Sequence, residues 1–352
     1  MTTHSPLRGL RVLDLTRLLP GPVATLRLAE LGADVLKIEE PGAGDGARAM
    51  MQTAADRAAG RPSAFYRIVN RGKRETRLDL KSETGRTVLR ALVRESHVLV
   101  ESFRPGVMAR LGLDYASLAQ INPKLVYCAI TGYGAHGPLA HRPGHDINYL
   151  GYAGVLDQIR AADGTLVLPN IQIADLLGGA ATAVTQILAA LWQVAQGGNG
   201  AFLDVSMTHA IRDNNVVARA ALETRDAAAD AQGTADTLAG SRGLLDGGVP
   251  CYNVYRTADG RWLAVGALEL KFWEKLCRAL GREDWASRHW SLGQAIGGPD
   301  ATALTRELAA RIAAQPLASW LELLEPLDCC VSPVLTVEEA RRHLLFRNDG
   351  PA

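Results

Sequence analysis

The stretch Leu10–Ile38, LRVLDLTRLLPGPVATLRLAELGADVLKI, decides the fold. Its first part, Leu10–Leu15, is a short apolar run that predicts a strand. Gly21-Pro22 then opens a helical pattern through Leu31, with Pro22 near the first helical position, where its missing N–H is no loss. Gly32 ends that helix, and Asp34–Ile38 is the next strand. Strand, helix, strand in so short a span is a βαβ unit, which makes neighbouring strands parallel.

The same rhythm continues outward. Arg77–Leu80 is strand-like, Glu83–Glu95 helical, His97–Glu101 a strand and Lys124–Ile130 another. The fold class is therefore α/β, a mostly parallel sheet covered by helices, with ligands expected beyond the carboxyl ends of the strands. Residues 221–247, rich in Ala, Asp and Gly, read as a linker. Beyond it, Tyr252–Tyr255 and Trp262–Val265 flank an Asp259-Gly260 turn and predict a hairpin. Helices follow at about 270–280 and 302–325, making a smaller α+β unit. Cys330–Val337 is strand-like and is expected to return to the first domain. The division is a large domain over 1–200, a connection over 201–247, a small domain over 248–328 and a C-terminal return over 329–352.

Composition limits the function. Apolar residues make up 47% of the 352 and charged residues 21%, as in an ordinary globular chain. A net charge of +1 gives no basis for nucleic acid as a partner, so any anion site must be local. The five cysteines are odd in number and contain no CxxC, which argues against a disulfide framework or structural zinc and suits a reducing cytoplasm. Residues 173–195 are long and apolar enough for a bilayer, but Asp175, Gln186 and Gln193 favour a buried helix over a membrane span.

The candidate chemistry centres on Gly144-His145-Asp146-Ile147-Asn148-Tyr149 and on Asp175. A histidine and a carboxylate on separate elements are what a two-base proton transfer needs. Each has a plainer reading too. His145 also suits a loop histidine bonded to nearby backbone, and Asp175 suits the N-cap of the long apolar helix that follows it. At a helix N-terminus its anion would be stabilised, and Gly178 and Gly179 would let a ligand approach the backbone. Lys37, Arg71, Lys73, Arg74 and Arg104, with Asn70 beside them, lie at predicted strand ends or loops. Together they suit a phosphate-bearing ligand, although any one alone reads as solvated charge. Glu269 follows a predicted strand and reads as a surface carboxylate at a helix start. No GxGxxG follows the first strand, and no P-loop or GxSxG elbow is present.

These residues resemble the family III CoA-transferase (CaiB/BaiF) superfamily, in particular its α-methylacyl-CoA racemase branch, over nearly the whole chain. LGADVLKIEEPGAGD (31–45), NRGKRETRLDLKSETG (70–85), RPGVMARLGL (104–113) and ITGYGAHGP (130–138) match at the superfamily level. Pro20-Gly21-Pro22, GHDINY (144–149) and YRTADGRWLAVGALE (255–269) look racemase-like. The resemblance implies a Rossmann-like large domain, a small domain and two interlocked chains. It implies His145 and Asp175 as catalytic bases, with Glu269 supporting the histidine. Lys37, Asn70, Arg71, Lys73, Arg104 and Gly144 would lie near coenzyme A, which enters as part of an acyl-CoA substrate, with no separate cofactor and no metal. In transferases the same aspartate would be the nucleophile that forms an acyl anhydride, so His145 is the residue that discriminates. CoA transfer is the main rival reading, and a CoA-binding protein without catalysis is a third.

Overall fold

Six strands pair in parallel to form one sheet: β1 (Arg11–Leu15), β2 (Asp34–Glu39), β3 (Arg74–Arg77), β4 (Val98–Glu101), β5 (Val126–Thr131) and β6 (Phe202–Ser206). Their order is β3-β2-β1-β4-β5-β6, so the winding reverses between β1 and β4. Ligand crevices form at such a reversal, on the carboxyl side of the strands. The structure is a computed structural model and describes residues 5–161, 163–232 and 243–346.

Successive side chains along a strand point to opposite faces, and here both faces are covered. On one face Val12, Val98, Val100, Val126 and Cys128 pack with Ala24 and Leu28 of helix α1 (Pro20–Glu30). On the other, Leu13, Leu15, Leu99 and Tyr127 meet Leu89 and Val93 of α2 (Glu83–Arg94). After β5 come α3 (Asp146–Tyr152) and a long helix that begins as a π-helical segment, Ala174–Ala181, and continues as α4 (Thr182–Ala195). Ala183, Ile187 and Ala190 recur at helical spacing and carry one face of α4 into the core. The run Ala174–Ala195 has 22 residues, and an 18-residue window in it has mean hydropathy 1.4, enough by length and composition to span a membrane, with 39% of that window buried within the protein. Beyond β6 lie α5 (Met207–Asn214) and α6 (Val216–Gln232).

The chain divides into two units, residues 1–231 and 232–352. The second unit holds an antiparallel sheet in the order β7 (Tyr252–Arg256), β8 (Trp262–Gly266), β9 (Val331–Pro333). The expected hairpin is there, with Gly260 at φ +77° in its turn. Helices α7 (Leu270–Ala279), α8 (Pro299–Ile312) and α9 (Leu317–Leu324) cover it around buried Trp273, Trp285 and Trp320.

Several expectations are corrected. The third strand is Arg74–Arg77, not Arg77–Leu80. It is a polar edge strand held by backbone pairing, while Leu78 and Leu80 pack just beyond it. The first domain does not stop at 200, because β6 pairs with β5 at 202–206. Half of the expected linker is helix α6; its residues 233–242 lie outside the described residues. The single helix expected over 302–325 is two, separated at Gln315-Pro316, since a proline cannot continue the ladder. The strand at 331–333 does not return to the first domain: it pairs antiparallel with β8 in the second unit.

Candidate active site

The loop after β5 leads to α3, and His145 is the residue that caps that helix. Its backbone N–H donates to Asn148 Oδ1 at 3.0 Å, and the residue is exposed. Gly144 just before it is squeezed between two rings. A Cβ there would sit 2.7 Å from Tyr149 Cε1 and 2.8 Å from the Tyr133 hydroxyl. The buried Tyr149 donates its hydroxyl to the Gly144 carbonyl at 2.5 Å, and its ring meets Tyr133 edge-on, centroids 5.2 Å apart. Gly144 is thus required by packing, and Tyr149 is a core residue that fixes the His145 loop.

Asp175 enters from the long crossover helix between β5 and β6. Such a helix runs back antiparallel to the strands, so its first turn lies at the carboxyl edge of the sheet. Asp175 is not the N-cap, as one reading of the sequence had it. Ile173 holds that position, and Asp175 is in the first turn of the π-helical segment. Short π-helical turns are frequent at functional sites. The two candidates are joined by the residue between them: the Asp175 backbone N–H donates to Asp146 Oδ1 at 2.9 Å. That bond ties the start of α3, with His145, to the start of the long helix.

It also sets the charge on Asp175. Burial, reinforced by the neighbouring Asp146 carboxylate, pushes the Asp175 carboxyl up to about 7. Asp146 is itself raised by burial, against the lowering effect of the Asp175 and Ala174 amides. The anion-stabilising helix terminus expected from the sequence is therefore overridden. The glycines that follow are also reassigned. A Cβ on Gly178 would lie 2.7 Å from the Met207 carbonyl, and one on Gly179 would lie 2.8 Å from Pro20 Cβ. They admit α5 and α1 to close packing rather than a ligand. Asp146 was passed over as a separate residue in the sequence; its place directly after His145 was the available signal.

The expected anion-binding set is only partly at the surface. Lys37 and Lys73 have fully buried side chains. Lys37 Nζ pairs with Asp45 at 3.2 Å and donates to the Thr16 carbonyl at 2.9 Å. Lys73 Nζ spends its donors on Asp14 (3.0 Å), the Pro22 carbonyl (2.8 Å) and Asn70 Oδ1 (2.8 Å). These lysines and Asn70 build the loop after β1 from inside. Arg71 pairs with Glu30 in the last turn of α1, toward the amino edge of the sheet, and Arg74 pairs with Asp34. Arg104 is exposed in the loop after β4.

A cleft of about 250 Å³ does lie at the carboxyl edge, beside the reversal point, and different residues line it. Arg17 follows β1, Glu40 follows β2, Lys81 follows β3, and Phe103 and Arg110 follow β4. The Arg17 guanidinium lies 5.7 Å from the Phe103 ring centroid and 3.1 Å from Glu40. Sequence reading missed these cations because nothing in their spacing announces that four separate loops converge. Glu269 belongs to the second unit, where it begins α7 and makes no side-chain cap bond. Among the described residues, no group of three or more His, Cys, Asp or Glu side chains is placed to hold a metal.

A parallel sheet with a cleft at its reversal point, lined by Arg17, Lys81 and Arg110 together with Glu39, Glu40 and Asp79, and a helix-capping histidine joined through Asp146 to a carboxyl held near neutrality, make an α/β frame suited to acid–base or acyl chemistry. The chain belongs to CoA-transferase family III, whose sequence model matches residues 7–350. It is 35% identical over 337 residues to mouse (Mus musculus) α-methylacyl-CoA racemase, covering 96% of this chain and 80% of that one. It is 33% identical over 353 residues to acetyl-CoA:oxalate CoA-transferase of Acetobacter aceti, covering 98% and 86%. A crystal structure of a CaiB/BaiF family protein from Brucella suis superposes with a TM-score of 0.78 at 29% identity, covering 99% of this chain and 88% of that one.

Proposed function

We propose that this enzyme epimerises 2-methylacyl-CoA thioesters by a 1,1-proton transfer, with His145 on one face of the α-carbon and Asp175 on the other. The observation that carries this reading is Asp175 at about 7, tied through Asp146 to the His145 helix. A carboxyl poised there is present in both protonation states at neutral pH, as a reversible acid–base partner must be. A nucleophile for CoA transfer works instead as a fully ionised carboxylate, which an adjacent negative charge and burial disfavour.

In one direction the neutral imidazole of His145 takes the α-proton, leaving an enolate. The protonated Asp175 then returns a proton to the opposite face. The reverse reaction starts from the opposite protonation states. The Asp175 amide is already bonded to Asp146, and Gly178 faces α5, so enolate stabilisation falls to other groups. The nucleotide of CoA is assigned to the cleft lined by Arg17, Lys81 and Arg110, with Arg17 over the Phe103 ring and the Glu39, Glu40 and Asp79 carboxylates on the same wall. CoA arrives as part of the substrate, and no separate cofactor takes part.

The active assembly is proposed as an interlocked homodimer in the cytoplasm. Support comes from the exposed apolar side chains of Tyr152, Leu166, Leu168 and Ile171 beside the site, and from five cysteines that are all free thiols. Sedimentation should give twice the 37.6 kDa of one chain; a monomer at micromolar concentration would count against the dimer.

The deciding assay incubates one epimer of a 2-methylacyl-CoA with the enzyme in D₂O, without an acceptor acid. Deuterium at the α-carbon with formation of the other epimer is the expected result. No exchange, together with CoA passing to an added carboxylic acid, would reject the racemase reading in favour of transfer.

A further inference from the structure

One buried carboxyl at the carboxyl edge of the parallel sheet is used by no step above. Glu101 ends β4 and is 6% exposed. Its neighbours across the sheet are Leu15 on β1 and Ala129 on β5, both buried. The side chain therefore lies on the face that Leu13, Leu99 and Tyr127 share with Leu89 and Val93. An acid among such side chains is costly unless its oxygens find donors. The Phe103 N–H donates to Glu101 Oε2 at 2.6 Å, while the Tyr127 hydroxyl stands 3.4 Å from Oε1, at the outer limit of a bond. Beside it, the Arg17 N–H donates to Ser102 Oγ at 3.3 Å, which ties the loop after β1 to the loop after β4. These two bonds hold one wall of the cleft. Leu15, Arg17 and Phe103 all line it, and the Arg17 guanidinium lies 5.7 Å from the Phe103 ring centroid. Past Phe103 the turn continues through Gly106, at φ +82°, into the short helix Val107–Arg110, whose two end residues line the cleft as well.

We propose that Glu101, with Ser102 beside it, is a positioning residue for nucleotide binding: its carboxyl holds the Phe103 amide, the Ser102 hydroxyl holds the Arg17 amide, and together they set the aromatic ring and the cation against which the nucleotide packs. The inference rests on the assignment of the CoA nucleotide to this cleft. Stacking of a base on an aromatic ring is worth roughly tenfold in affinity, and only where the ring stands in the right place. Without its acceptor the Phe103 amide turns toward water and the ring is released. The amide needs an oxygen more than a charge. Burial pushes the Glu101 carboxyl up to about 7, against the lowering effect of the Phe103 and Tyr127 bonds, so a neutral acceptor can take its place.

The test measures binding of free coenzyme A by calorimetry, and kcat and KM for α-proton exchange, in Glu101→Gln, Glu101→Met, Lys81→Gln and Arg110→Gln. Gln keeps an acceptor oxygen, and Met fills the same space without one. Glu101→Met should weaken coenzyme A binding and raise KM by roughly tenfold with kcat unchanged, and Glu101→Gln should bring both back to within about twofold of the parent. Unchanged binding in Glu101→Met, an equal loss in Gln and Met, or a loss confined to kcat overturns the proposal. Lys81→Gln and Arg110→Gln separate it from the assignment beneath it. If they weaken binding while Glu101→Met does not, the positioning role is rejected and the cleft keeps its nucleotide. If none of the three alters binding, the cleft assignment and the positioning role fall together. Should Glu101→Met fail to fold, Ser102→Ala carries the comparison: a KM raised severalfold at constant kcat supports the proposal, and an unchanged KM overturns it.

Discussion

Asp146 shows how one side chain sets the chemistry of another. Its carboxylate accepts the Asp175 amide and, with burial, raises the Asp175 carboxyl to about 7. Asp146→Asn keeps an oxygen to accept that bond and removes the charge. The Asp175 limb of the pH–rate profile should therefore move to lower pH, with the fold unchanged. An unmoved limb would mean that burial alone sets the value, or that Asp175 is not the titrating group. His145→Ala should abolish α-proton exchange while CoA still binds, as followed by fluorescence or calorimetry. The candidate residues His145 and Asp175 were legible in the sequence as types and spacing. Their electrostatic state was not, because it depends on a contact between residues 146 and 175 that only folding creates.

The π-helical start of the crossover helix solves a packing problem as well as placing Asp175. Met207 of α5 and Pro20 of α1 press so closely on Gly178 and Gly179 that no Cβ fits without backbone movement. Gly179→Ala should cost about 1–3 kcal/mol, read as a lower midpoint in urea, and should disturb exchange through Asp175. A variant as stable as the parent would show that the helices can separate freely. In sequence these glycines suggested ligand access, since glycine signals close approach without saying by what. The same asymmetry runs through the other elements. β1, β2, β4 and β5 were visible because both faces are buried and the runs are apolar. β3 was misplaced because this edge strand is held by backbone pairing and keeps polar side chains, while β6, FLDVS, was missed although Phe202, Leu203 and Val205 are apolar. The cleft of Arg17, Lys81 and Arg110 escaped for a related reason. Sheet order, not local pattern, brings the four loops together.

At the scale of the whole molecule, the loop that leads from β1 into the site is held by a buried array of two cations and two anions. Lys73 and Asp14 are paired at 3.0 Å, Lys37 and Asp45 at 3.2 Å, and all four side chains are fully buried. Asp45 further accepts the Leu18 N–H at 3.0 Å, holding that residue at φ +65°. Burial alone would raise the Asp14 carboxyl, but Lys73, Lys37 and the Thr16 and Thr25 hydroxyls hold it down to about 2, from 3.8. A carboxyl depressed in the folded state adds stability above its unfolded value and loses it as pH falls through the folded one. Asp14 thus contributes on the order of 2 kcal/mol at neutral pH, lost between about pH 4 and pH 2. Asp14→Asn removes one charge and leaves Lys73 buried without its counter-ion, which should destabilise the fold by about 3–5 kcal/mol at pH 7. It should also flatten the dependence of the unfolding free energy on pH below 4, because the group that titrates there is gone. Chemical denaturation from pH 2 to pH 7 measures both. A variant that loses stability but keeps the parent's acid slope would assign the slope to other carboxylates, and one that loses nothing at pH 7 would remove the array from its place as the interior support of the site.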